Sequence, residues 1–176
     1  MRSATPVDLP AIQSIYAHHV LHGLASYEEV PPDVDEMRRR FAEVTQRGLP
    51  YLVAVSGGTV VGYGYCTLFR TRSAYRFVLE DSVYVRDGML GKGIGRALLT
   101  VLIDQCTVLG YRQMIAVIGD SGNAGSIGLH ASLGFLRSGN LRSTGFKFGR
   151  WVDTVLMQRP LGVGDGTLPA GNPRTA

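Results

Sequence analysis

Between Val83 and Leu99 the chain reads V-Y-V-R-D-G-M-L-G-K-G-I-G-R-A-L-L. A strand-like run leads into a glycine-rich loop, and the loop opens an apolar helical pattern. This strand–loop–helix unit demands a domain that packs helices on a sheet. Gly91, Gly93 and Gly95 allow the backbone to approach a ligand closely. The unbonded N–H groups at the helix start, with the helix dipole, suit an anionic phosphate. A P-loop ends in Gly-Lys-Ser/Thr, whereas here Gly95 is followed by Arg96-Ala97. A dinucleotide fingerprint needs G-x-G-x-x-G on an early strand, whereas this spacing is G-x-G-x-G and lies mid-chain. The residues leave two readings: a pyrophosphate-binding loop, or a loop that uses glycine only to turn.

The pattern on either side places this unit in a single mixed α/β domain. A first helix is expected after Asp8, read as its N-cap, with Leu9, Ile12, Ile15, Tyr16 and Val20 at helical spacing. A second begins near Asp33, after Pro31-Pro32, and carries Met37, Phe41 and Val44 on one face. Strands are expected over 51–55 and 59–69 around the turn Ser56-Gly57-Gly58, and again over 77–85. The helix over 95–109 stops at Gly110; a strand over 113–118 and a short helix over 125–133 follow. Phe135 onward and 150–158 read as two last strands, separated by a polar, glycine-containing stretch. From Gly162 the chain is rich in Gly, Pro and Thr, and 162–176 are expected to be a disordered tail. The order is helix, helix, three strands, helix, strand, helix, two strands, around one sheet.

Composition narrows the function. With 176 residues, 45% hydrophobic, the chain can build one core. It has no apolar run of about 18 residues, the length a membrane span needs, and the cytoplasm is the expected address. A net charge of +4 is too mild to argue for nucleic acid. Cys66 and Cys106 lie inside hydrophobic segments, a reduced-compartment pattern too sparse for zinc. His18, His19 and His22 have no second ligand cluster, so no metal is expected. Cys66 has no recognisable partner base, so it is not read as an acyl-carrying nucleophile.

Leu90-Gly91-Lys92-Gly93-Ile94-Gly95 resembles the acetyl-CoA motif of the GCN5-related N-acetyltransferases, Gln/Arg-x-x-Gly-x-Gly/Ala. Leu90 stands where that pattern has Gln or Arg; the phosphate contact is made by backbone N–H groups, so the departure is tolerable. Four further segments resemble the phosphinothricin acetyltransferase branch: A-T-P-V-D-L-P-A-I-Q-S-I-Y, Y-R-F-V-L-E-D-S-V-Y-V, S-I-G-L-H-A-S-L-G-F and G-F-K-F-G-R-W-V-D-T-V-L-M-Q-R-P-L. Together they span residues 1–161, expected to be one N-acetyltransferase domain. The resemblance implies a mixed sheet with a splayed strand pair that holds acetyl-CoA. It also implies transfer to the amino group of phosphinothricin, methionine sulfoximine or a similar amino acid, and a homodimer.

It also assigns roles. Glu80 matches the family's proposed base; a carboxylate buried in an apolar strand has a raised pKa, which suits that task. A structural pairing with an arginine such as Arg76 is the other reading. Val83 and Val85 would offer backbone groups to the cofactor, with Leu90, Gly91, Lys92, Gly93, Ile94, Gly95 and Arg96 at the pyrophosphate. Asn123 and Ser126 match a later cofactor segment, N-x-x-S. His130 stands where many members carry a tyrosine as acid for the departing thiolate; it is read either as that acid or as a packing residue. Arg70, Arg72, Thr144 and Lys147 are candidates to bind an anionic acceptor, with Tyr27 and Phe69 as apolar walls. Trp151 is read as a packing or dimer-interface residue.

Overall fold

The computed structural model describes residues 1–173. Seven strands form one sheet: β1 (Arg2–Ser3), β2 (Tyr51–Ser56), β3 (Thr59–Leu68), β4 (Val78–Val85), β5 (Gln113–Gly119), β6 (Leu136–Lys147) and β7 (Arg150–Pro160). Four helices flank it: α1 (Leu9–His22), α2 (Val34–Gln46), α3 (Ile94–Val108) and α4 (Ala124–Ser132). The sheet order is β1-β2-β3-β4-β5-β7-β6. Every neighbouring pair is antiparallel except β4 and β5, which are parallel and joined through α3. The expected mixed α/β sheet is therefore present. Among the described residues no helix is long and apolar enough to cross a membrane.

Period-two alternation divides the core between the two faces of the sheet. On one face Tyr51, Tyr63, Tyr65 and Tyr84 stack across three strands, and Tyr16 of α1 meets Tyr84 edge-on with ring centroids 5.1 Å apart. On the other, α3 lies directly on β3. Gly62 and Gly64 permit that approach. A Cβ on Gly62 would sit 3.0 Å from Ile94 Cγ2 and from the Tyr84 carbonyl, and one on Gly64 would sit 3.1 Å from Leu102 Cδ1 and the Ser82 carbonyl.

The helix starts differ from one another. Asp33 Oδ1 accepts from the Glu36 N–H at 2.8 Å and caps α2. Asp8, expected to cap α1, instead turns back to the chain start. Its Oδ2 accepts from the Thr5 N–H at 2.8 Å, and both its oxygens meet the Arg2 guanidinium at 2.7 Å. A short 3-10 turn, Pro6–Asp8, precedes α1, so Asp8 already lies inside a turn.

The last two strands are longer than expected. β6 runs to Lys147, with register irregularities at Arg137/Gly139 and Leu141/Gly145, and absorbs the polar stretch read as a separator. Phe148 and Gly149, both at positive φ, close the hairpin. This hairpin holds the loop between α1 and α2. Lys147 is 1% exposed, and its Nζ donates to the Gly23 carbonyl at 2.9 Å and the Ser26 carbonyl at 2.7 Å. Tyr27 lies flat over Gly145, where a Cβ would come within 2.7 Å of the ring. The Tyr27 hydroxyl also bonds the Asp153 carbonyl and meets Thr154 Oγ1 at 3.1 Å.

Beyond β7, residues 162–173 run through turns. The Gly164 carbonyl and Thr167 Oγ1 both accept from Arg112, and Asn172 Oδ1 accepts from Arg76. The rest of the expected disordered tail, 174–176, lies outside the described residues.

Two substitutions test this packing by thermal or denaturant unfolding. Gly62→Ala is expected to cost about 1–3 kcal/mol, because the atoms its Cβ meets include backbone oxygen. Lys147→Met leaves two carbonyls without their donor and is expected to cost about 1–3 kcal/mol.

Candidate functional site

The site begins where two strands part. β4 and β5 pair from Val78↔Gln113 to Asp81↔Ala116 and no further, although β4 continues to Val85 and β5 to Gly119. The Arg86 N–H bonds the Val61 carbonyl on the β3 side at 2.9 Å. By strand alternation, Val83 and Val85 therefore turn their N–H and C=O groups toward β5, into the gap. His19 of α1 takes one of these: its Nε2 lies 2.9 Å from the Val85 carbonyl.

The gap opens into a cavity of about 670 Å³. Val83, Val85, Leu90, Gly91, Gly93, Ile94, Gly95, Arg96, Asn123, Ser126 and His130 all line it. Gly91 and Gly93 are in the left-handed region, at φ 73° and 78°, as the turn into α3 requires. Gly93 caps α3 with no side-chain bond, and the first helical bond runs from the Ala97 N–H to the Gly93 carbonyl. The amides before Ala97 have no partner within the helix, the arrangement that suits an anion at a helix start. Gly95 lets α4 come close, since a Cβ there would be 3.2 Å from Leu129 Cδ2. Arg96 bonds Ser132 Oγ at 2.7 Å and so links α3 to α4. Lys92 is not among the lining residues; its Nζ sits 3.3 Å from Met89 Sδ.

At the floor of the cavity Asn123 caps α4, its Oδ1 accepting from the Ser126 N–H at 3.1 Å. His130 is buried, with both ring nitrogens bonded. Nδ1 lies 2.8 Å from the Ser126 carbonyl, and Nε2 lies 3.0 Å from Asp81 Oδ2. A carbonyl only accepts, so Nδ1 carries a proton. Burial opposes the charged ring, but the hydrogen bond and charge of Asp81, helped by the Ser126 carbonyl, outweigh it and raise the His130 pKa.

Glu80 lies on the opposite face of β4, in register with Thr67 and Ile115, and does not line the cavity. Its pKa is raised by burial first and by Asp81 second, against the pull of Arg70. Arg76 does not pair with Glu80: its Nε donates to Asn172 Oδ1 at 3.0 Å.

Arg70 and Arg72 are exposed, and the Arg70 guanidinium stacks on Phe69 at 4.3 Å. Thr144 Oγ1 meets Thr154 Oγ1 at 2.9 Å, beside Tyr27. Lys147 departs from the anion contact expected of it. It is sealed under the hairpin, with its ammonium spent on two loop carbonyls.

The sequence reading missed three groups. His19 was weighed only as a metal ligand. Asp81 has no role assigned from the sequence, yet its place on the face of β4 opposite Glu80 brings it to His130. A polar network on the Glu80 face was not foreseen: Tyr16 bonds Ser26 and Glu28 at 2.8 Å, and Arg40 bonds Glu28 at 2.7 Å. The helical spacing of Tyr16 and His19 was a visible signal that both face the sheet.

Comparison with known proteins gives one answer. The family model described as "Acetyltransferase (GNAT) domain" matches residues 1–156. A phosphinothricin N-acetyltransferase of Alcaligenes faecalis is 62% identical over 92% of this chain and 82% of its own length. An L-methionine sulfoximine/L-methionine sulfone acetyltransferase of Pseudomonas paraeruginosa is 42% identical over 90% of this chain and 92% of its own. A GNAT superfamily phosphinothricin acetyltransferase of Sinorhizobium meliloti, solved in complex with AcCoA, superposes with a TM-score of 0.94 at 51% identity. It covers 97% of this chain and 93% of that one. The parted strands, the glycine turn into α3 and these matches agree: the chain belongs to the GNAT family of acetyl-CoA-dependent enzymes and is an N-acetyltransferase.

Proposed function

We propose that this enzyme acetylates the amino group of a small amino-acid-like acceptor of the phosphinothricin or methionine sulfoximine class, by direct transfer with Glu80 as general base. One observation carries the reading. Glu80 precedes Asp81, the last β4 residue paired to β5, and it is half-buried, which raises its carboxyl's pKa. A base at that point stands beside the gap that would receive the thioester. The names of the relatives support the acceptor class.

In this reading acetyl-CoA lies in the cavity, with its pyrophosphate on the amides of Gly91, Gly93, Ile94, Gly95 and Arg96, and Lys92 at the rim. Asn123 and Ser126 bound it on the α4 side. Glu80 takes a proton from the acceptor's ammonium, directly or through a water. The freed amine attacks the thioester carbonyl carbon and forms the C–N bond. The Val83 and Val85 N–H groups face the developing oxyanion. The C–S bond then breaks, the nitrogen gives up its second proton to water, and His130, whose ring nitrogens both face protein acceptors, supplies a proton to the thiolate through a water. Arg70 and Arg72 meet the acceptor's anionic groups, with Thr144, Tyr27 and Phe69 beside them.

The proposed setting is the cytoplasm, in keeping with the free thiols of Cys66 and Cys106. The proposed assembly is a homodimer joined at the β6–β7 hairpin. β6 is the sheet's edge, and Phe146, Phe148 and Trp151 are more than half exposed there.

Release of CoA thiol tests the acceptor, with phosphinothricin, methionine sulfoximine, common amino acids and peptides compared. Rapid release with the first two is expected. Release with peptides alone would move the enzyme to a protein acceptor, and acetyl-CoA binding without release from any would favour a non-catalytic module. Glu80→Gln is expected to lower kcat by about 10²–10⁴-fold while acetyl-CoA binding holds. Because the base must be unprotonated, wild-type kcat/KM should rise with pH through the elevated Glu80 pKa, and that limb should vanish in the variant.

A further inference from the structure

Asp81 is a costly residue to bury. Its side chain is 1% exposed, and only one of its oxygens has a protein partner. Oδ2 faces His130 Nε2 at 3.0 Å, while Oδ1 is buried with no hydrogen bond. A carboxylate kept for architecture would satisfy both oxygens. Asp81 also lines a small enclosure of about 50 Å³ between the parted strands, with His130, Ser126 and Asn123, which is room enough for water.

His130 is equally constrained. Its Nδ1 proton points at the Ser126 carbonyl, and Phe135 packs edge-on to the ring with centroids 5.0 Å apart. With Nδ1 fixed as a donor, Nε2 opposite a carboxylate is a donor too, so the ring carries both protons. A histidine in this position without a counter-charge would be neutral. The other titratable groups around the pair are Glu80 and Tyr84, on the opposite face of β4; Cys66 of β3, in register with Asp81; and Cys106 of α3, its Sγ 3.6 Å from that of Cys66. None is a base able to replace Asp81: Glu80 faces away, and burial raises the Cys66 thiol well above its usual range. From β5 the neighbour is Ala116, and from α4 it is Ser126.

We propose that Asp81 is the positioning residue for His130: it holds the imidazole as a doubly protonated, fixed ring at the floor of the acetyl-CoA cavity, loaded before the thiolate departs. This rests on the reading of His130 as the acid. It assigns the two consecutive acids of β4 opposite duties, Glu80 toward the acceptor and Asp81 toward the leaving group. Asp81 acts only through His130 and meets no substrate.

The ring nitrogens test this directly. In ¹⁵N-labelled wild-type enzyme at pH 7, both His130 nitrogens should show imidazolium shifts. In Asp81→Asn, which keeps the shape and removes the charge, Nε2 should lose its proton while Nδ1 keeps its own. That variant should also lose about 100-fold in kcat, with little change in KM for acetyl-CoA. A purely structural Asp81 would leave the ring shifts unmoved. A neutral His130 in the wild type overturns the proposal without any variant having to fold, and so does an Asp81→Asn enzyme with wild-type kcat. His130→Gln separates the two readings. Wild-type kcat there overturns the acid role, and the catalytic consequence of Asp81 with it; the wild-type ring shifts decide the hold of Asp81 on the ring independently.

Discussion

The organisation of the molecule follows from hydrogen bonds that β4 and β5 do not make. Beyond Asp81↔Ala116 the two strands diverge, and the inward-facing backbone groups of Val83 and Val85 lose their neighbour strand. Unpaired backbone in a sheet is unfavourable unless something else bonds it. His19 meets part of this need at the Val85 carbonyl. An extended ligand with amides of its own can meet the rest by adding, in effect, a short strand. The glycine turn into α3 and His130 both line that opening. One departure from regular pairing therefore opens the cavity onto which both the glycine turn and His130 face.

The same strand shows how far the sequence could be read. The β-branched and aromatic content of Y-R-F-V-L-E-D-S-V-Y-V indicates a strand, and a strand's period of two places Glu80 and Asp81 on opposite faces. The clustered glycines before an apolar helical stripe mark the turn into α3, and Asp33 marks the start of α2, because caps and turns are local chemistry. Other features were not legible. β1 is two residues long and carries no period. β6 has most of its residues exposed, so its pattern does not alternate as a half-buried strand should.

Lys147 shows why some assignments fail in principle. A lysine in a polar loop is ordinarily solvated, and a fully buried one is rare. Its partners here are the carbonyls of Gly23 and Ser26, over a hundred positions away in the chain. Backbone carbonyls have no sequence signature, so no motif could have announced the contact. The same holds for His19, whose partner is the Val85 carbonyl, 66 positions on. Pairings between side chains were more accessible: Asp81 and His130 both sit in segments already singled out.

The Gly62–Gly64 step in β3 has a consequence beyond packing. Tyr63 and Tyr65 take one face of the sheet, and the glycines leave the other free for Ile94, Leu98 and Leu102 of α3. β4 lies against this step with Tyr84 opposite Tyr63 and Ser82 opposite Tyr65. Sliding β4 by one residue would turn the Tyr84 ring into the space beneath α3 that the glycines keep clear. It would also exchange Glu80 and Asp81 between the two faces. The bulky-and-bare alternation of β3 thus works as an alignment key. It keeps two chemically similar carboxylates, adjacent in the chain, from trading places.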